Sequence, residues 1–100
     1  MDHYTKLLAS LAGKSPCRKK FGVLIIYRNK VISKGFNYIV GKFSVHAEEA
    51  AIQNVKDKKI LPKCLILLGR LKDGCLIQCR CCPRCIQRIQ RAGISKVYTS

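Results

Sequence analysis

The amino-acid sequence predicts one layered α/β domain, a mixed and mostly parallel sheet with helices on both faces. Three observations carry that expectation. One hundred residues leave room for a single core, and 48% apolar with 25% charged residues is a globular composition. Two apolar runs, Phe21–Tyr27 and Cys64–Leu68, have the length of strands buried on both faces. Around them apolar residues recur at helical spacing, so helix and strand alternate, which implies a sheet covered on both sides.

The elements follow in order. Tyr4 to Ala12 sets Leu7, Leu8 and Leu11 at helical spacing and stops at Gly13. Lys14 to Lys20 contains Pro16 and four basic residues and reads as a loop. The strand Phe21 to Tyr27 turns at Arg28-Asn29-Lys30 and returns antiparallel as Val31 to Asn37. A loop through Gly41 leads to a helix from His46 to Lys56, with Ala47, Ala50, Ala51 and Val55 on one stripe. Pro62 precedes the Cys64–Leu68 strand, and Asp73-Gly74 is a strong turn signal before an extended Cys75 to Cys79. A helix from Cys82 to Ala92 takes Pro83 in its first turn and Gly93 as its cap. Ile94 to Tyr98 begins a last strand. With no repeat and no linker, residues 1–100 form one domain.

Charge and cysteine usage narrow the function. Twenty Lys and Arg against five Asp and Glu leave +15, and such self-repulsion points to a polyanionic partner. No apolar run approaches the roughly 18–20 residues of a membrane helix. The opening Met1-Asp2-His3-Tyr4-Thr5-Lys6 lacks the order of a secretory signal, so an intracellular, reducing compartment is expected. Seven cysteines, an odd number, then argue against a disulfide framework. Five of them fall between Cys75 and Cys85, which suggests a metal, while Cys17 and Cys64 read as small buried hydrophobes.

Two short motifs each open a predicted helix, His46-Ala47-Glu48 and Cys82-Pro83-Arg84-Cys85. One imidazole and two thiolates make three ligands for a tetrahedral Zn2+ with its fourth position open, the catalytic arrangement. Helix N-termini favour the thiolate form of Cys82 and Cys85. Glu48, two residues from His46, lies far enough round the helix to address water and can carry its proton to a leaving amine. The two motifs together, in this order, match a zinc deaminase signature.

With those motifs the sequence resembles the cytidine and deoxycytidylate deaminase superfamily over nearly its whole length. Phe21–Ile26 is similar to the family's first strand, Gly35-Phe36-Asn37 to its G-x-N, and His46 to Ile52 to its H-A-E-x-x-A-I helix start. Asp73-Gly74 through Cys82 and Cys85 to Gly93–Tyr98 resembles a form with a hairpin before the cysteine motif. The resemblance implies a cytidine-deaminase-like three-layer α/β/α fold, truncated after the fourth strand. It implies zinc on His46, Cys82 and Cys85, proton transfer by Glu48, and substrate contacts from Asn37, the Ala47 amide and the Cys81 carbonyl. The implied chemistry is hydrolytic attack of zinc-activated water at C4 of cytosine, giving uracil and ammonia. The sequence departs from the family at Cys81, where a proline is usual.

Several alternatives stand beside this reading. Cys79 and Cys81 with Cys82 and Cys85 would form a closed four-cysteine site that forbids catalysis, though four ligands within seven residues crowd one another. Arg84, Arg88 and Arg91 form a stripe on the last helix, preceded by Arg80, which can contact phosphate or nucleic acid or simply face solvent. Lys14, Arg18, Lys19 and Lys20 form a second basic cluster, and Lys56, Lys58, Lys59 and Lys63 a third. Phe21, Phe36, Tyr38 and Phe43 lie among basic residues, where one can stack on a base. The partner is then a cytosine nucleoside, nucleotide or nucleic acid. The rival function is an inactive basic scaffold of the same fold, as in a virus particle. A last strand at the sheet edge further predicts a homo-oligomer or hetero-assembly.

Overall fold

The two apolar runs lie side by side at the centre of the protein. The computed structural model describes residues 2–77, 83–94 and 96–99, with the backbone alone at 2, 83–85 and 99. The elements are α1 (Asp2–Ala12), β1 (Lys20–Tyr27), β2 (Lys30–Phe36), β3 (Tyr38–Val40), β4 (Phe43–Val45) and α2 (Ala47–Gln53). A 3-10 helix (Lys58–Lys63), β5 (Leu65–Lys72), β6 (Cys75–Ile77), α3 (Pro83–Arg91) and β7 (Lys96–Thr99) complete the order. Strands β1 and β5 pair antiparallel, with Val23 opposite Leu68, Leu24 opposite Leu67 and Ile25 opposite Ile66.

Strand alternation sends these residues to opposite faces. Val23, Ile25, Ile66 and Leu68 meet Ala47, Ala51 and Ile89 of α2 and α3 on one side. Leu24, Ile26 and Leu67 meet Leu8 and Leu11 of α1 on the other. The three-layer expectation is therefore met, with an apolar core on each side of the sheet.

The expectation of a mostly parallel sheet is corrected. β1 runs antiparallel to both β2 and β5, β6 runs antiparallel to β5, and only β7 is parallel to β5. The reason is topological. The crossover through α2 starts from β2 and does carry the chain to a strand of the same direction, but it passes over β1, which fills the space between them. β6 and β7 share the far edge of β5, β7 along Leu65–Leu68 and β6 along Arg70–Lys72.

The β1–β2 and β5–β6 turns take the mirror-image conformation that suits twisted hairpins. Arg28 and Asn29 have φ of 51° and 63°, and Asp73 and Gly74 have 53° and 79°. The region expected as a loop through Gly41 contains the β3–β4 hairpin. Helix α2 ends at Gln53, short of Lys56, where Lys58 Nζ donates to the carbonyls of Ile52 and Gln53. Val55 still reaches the core. Cys64 is buried as expected. Burial pushes its thiol pKa up, and the protonated sulfur donates to Ile60 O. Cys17 is half-buried instead. No described helix is long and apolar enough to cross a membrane.

One contact fixes how closely α2 lies on the sheet. A Cβ on Gly35 would sit 2.4 Å from Ala47 O and 2.5 Å from Ala51 N, closer than real atoms approach. Beside it, buried Ser33 donates from Oγ to Ala51 O at 2.5 Å. Gly41, by contrast, has open space around it and a φ of +59°. Gly35→Ala is therefore expected to cost at least the roughly 1–3 kcal/mol of overpacking, because the obstructing atoms are backbone. Gly41→Ala should cost about 1 kcal/mol from its left-handed φ. Urea midpoints of the two variants check this, and equal losses would contradict it.

Candidate active site

The end of β2, the β3–β4 hairpin, the start of β1 and the N-terminus of α2 enclose a cleft of about 180 Å³. Leu68 and Phe21 supply apolar lining from the sheet, and Tyr38, Ser44 and Val45 line it from the hairpin. His46, Ala47, Glu48 and Asn37 face the same space. Four of the residues expected from sequence thus come together.

His46 is the N-cap of α2, with extended φ and ψ of −77° and 151°, and its side chain makes no capping hydrogen bond. A histidine that merely caps the helix is thereby set aside. The first intrahelical bond runs from Ala50 N to His46 O at 3.0 Å. The amides of Ala47, Glu48 and Glu49 precede it and have no intrahelical acceptor. Ala47 is fully buried, so its amide is held against the cleft without a mobile side chain.

Glu48 and Glu49 are adjacent but do different things. Glu49 forms an ion pair with Arg88 of α3 at 2.6 Å, tying the two helices together. Glu48 is only 5% exposed, lines the cleft, and has no hydrogen bond or ion pair among the described residues. Its carboxylate oxygens are not among the buried atoms left without a hydrogen bond, so they remain accessible to water or a cation in the cleft.

Asn37 is braced by the backbone. Its Oδ1 accepts from Phe21 N at 2.9 Å, its Nδ2 donates to Lys19 O at 2.7 Å, and its carbonyl accepts from Ser15 Oγ at 2.7 Å. Ser15 Oγ also accepts from Cys17 N. This stitches the 13–20 loop to the end of β2 and fixes one wall. Sequence reasoning did not find Ser15, or Cys17 as a cleft residue. The Pro16 between them signals a loop but not where the loop docks.

The remaining expected residues fall elsewhere. Arg80, Cys81 and Cys82 lie outside the described residues, as do Cys79 and the side chains of Arg84 and Cys85. The backbone of Cys85 lies in the first turn of α3. Arg88, expected to be available to phosphate, is engaged by Glu49, an acid supplied by another helix. Arg91 is exposed.

The donor set fits zinc. His46 brings an imidazole to the cleft beside the Glu48 carboxylate, and the thiols of the Cys82-Pro83-Arg84-Cys85 motif are of a ligand type suited to that ion. Among the described residues no three His, Cys, Asp or Glu form a metal cluster, and two of the three expected ligands have side chains outside that set.

Comparison with known proteins decides the family. The sequence matches the family model of the cytidine and deoxycytidylate deaminase zinc-binding region over residues 2–100. The chain belongs to that family. Among curated proteins no sequence matches it. The deaminase fold recurs in a dCMP deaminase from the cyanophage S-TIM5, with a TM-score of 0.71 and 19% identity over 98% of this chain and 78% of that one. It recurs in RibD of Acinetobacter baumannii, TM-score 0.70 and 18% identity, over 98% of this chain and only 27% of that one. It recurs again in a guanine deaminase from Bacillus subtilis, TM-score 0.68 and 21% identity, over 99% of this chain and 62% of that one. These likenesses establish a deaminase fold.

If His46, Cys82 and Cys85 hold the ion of this zinc-binding family, His46→Ala and Cys82→Ser should each drop bound zinc from about one per chain toward none. Thermal stability should fall with it, because metal binding is coupled to folding. Elemental analysis with thermal melts checks both, and full occupancy in both variants would contradict the ligand set.

Proposed function

We propose that the protein is a zinc-dependent hydrolytic deaminase that converts cytosine to uracil in a nucleoside, nucleotide or nucleic-acid strand. In this reading His46, Cys82 and Cys85 bind the metal and Glu48 moves the protons. The observation that carries it is Glu48 itself, a largely buried residue whose carboxylate stays accessible and opens onto the cleft beside His46. Zinc, when bound, would supply a Lewis acid that activates water.

Each residue of the cleft then has a task. Glu48 accepts one proton from the attacking water and delivers it to N3 of the ring, then takes the second from the hydroxyl added at C4 and delivers it to the departing amine. The Ala47 amide offers a donor to a ring acceptor, and Asn37, braced on Lys19 and Phe21, holds the wall against which the nucleoside lies. The Cys81 carbonyl would accept from the exocyclic amine. Phe21, Leu68 and Val45 exclude water around the base. Cytosine is the base that membership of the cytidine and deoxycytidylate deaminase family favours.

Assembly fits the same reading. β7 pairs with β5 alone among the described strands, and Val97 and Tyr98 on it are 40% and 51% exposed, an edge that a second chain can cover.

Glu48→Gln tests the function apart from the fold. The amide fills the same volume and is not a ligand, so zinc content and melting should be retained. Ammonia release from cytidine, deoxycytidylate or a cytosine-containing strand should fall roughly 10²- to 10⁴-fold. Wild-type protein that holds zinc yet is silent on all three substrates would replace this reading with that of a basic scaffold.

A further inference from the structure

A second concavity lies next to the cleft. Arg18, Lys19, Lys20, Arg70 and Lys72 line a groove of about 630 Å³, with Asp73 as its one carboxylate. Arg18, Lys19 and Lys72 are exposed, and Lys20 Nζ donates to Ser15 O. None of the five cations forms an ion pair among the described residues, where the Arg88–Glu49 pair is the one present. Like charges held together in this way repel unless an anion joins them.

Arg70 links the groove to the cleft. It stands opposite Phe21 in the β1–β5 ladder, and its guanidinium carbon lies 5.9 Å from the centroid of that ring. Phe21 also lines the cleft. The Arg70 Nε is buried and has no hydrogen-bond partner, so part of this cation is desolvated without compensation. The start of β1 thus serves both spaces, since Asn37 at the cleft grips the backbone of Lys19 and Phe21.

We propose that this groove binds the phosphodiester backbone of a single-stranded nucleic acid whose base enters the neighbouring cleft. The inference rests on the deaminase reading only for the place of the base. Five cations exceed what the single phosphate of a mononucleotide needs, and they continue away from the cleft along β5 to the Asp73-Gly74 turn. A base within a duplex cannot enter the cleft without leaving its stack, which favours a single strand. The helix stripe is a weaker candidate, because Arg88 is already neutralised by Glu49.

The test is direct binding, read without catalysis, so that its failure is separate from failure of the deaminase reading. Fluorescence anisotropy of a labelled cytosine-containing oligonucleotide is measured across salt concentrations for the full chain and two triple variants of equal charge. One is Arg18→Ala, Lys19→Ala, Lys72→Ala in the groove. The other is Lys56→Ala, Lys59→Ala, Lys63→Ala, three exposed residues on and beside the 3-10 helix. Removing three single-strand phosphate contacts should flatten the log–log salt slope by about 2 and weaken binding about tenfold or more at low salt. The control triple should leave the slope nearly unchanged. Equal losses in the two triples would overturn the groove, since net charge alone would then explain binding. Absence of oligonucleotide binding, or an equally tight and groove-dependent hold on a duplex or on deoxycytidylate alone, would overturn the single strand.

Discussion

Everything at the cleft depends on how closely α2 lies on β2. Gly35 leaves no side chain between the strand and the carbonyl of Ala47, and Ser33 ties the same strand to the carbonyl of Ala51. The helix can therefore rest with Ala47 and Ala51 flat against Val23, Ile25, Ile66 and Leu68. Small residues on both surfaces make this contact, and its result is positional. The first turn of α2 is carried to the end of β2, where His46 and Glu48 meet the cleft. A larger side chain at either place would lift the helix and move both groups off their common target.

The opposite wall follows from Asn37. One amide group accepts from Phe21 and donates to Lys19, so the start of β1 cannot drift from the end of β2. Ser15 holds the carbonyl of the same residue. Glycine, serine and asparagine thus set the cleft's shape through backbone contacts. The two apolar cores supply the bulk of the driving force and leave these short polar residues to fix register. Glu48, largely buried and without an ion pair among the described residues, keeps its carboxylate accessible at the cleft, where it is available for proton transfer.

Much of this was legible in the sequence, for reasons particular to each element. The length and β-branched content of the runs at Phe21 and Cys64 favoured buried strands over helices, and the alanines after His46 marked a helix face. Strand direction was misread because alternation reports which strands a helix connects, not whether a hairpin partner lies between them. The β3–β4 hairpin was missed since Tyr38–Val45 is short, exposes Ile39, Val40 and Phe43, and carries no burial pattern to read. Motif spacing brought out His46 and Glu48, and the resemblance to the deaminase family brought out Asn37. Neither could foresee that Glu49 reaches across to Arg88, or that Arg70 stacks beside Phe21, because both depend on packing between distant segments.

In the proposed site α2 presents one imidazole to a metal shared with a pair of cysteines, leaving a position open beside Glu48. X-ray absorption at the zinc edge of the full chain tests this most directly. The account predicts two sulfur neighbours at about 2.3 Å and two nitrogen or oxygen neighbours at about 2.0–2.1 Å. Four sulfur neighbours would instead mean a closed site built from Cys79, Cys81, Cys82 and Cys85, and would contradict it.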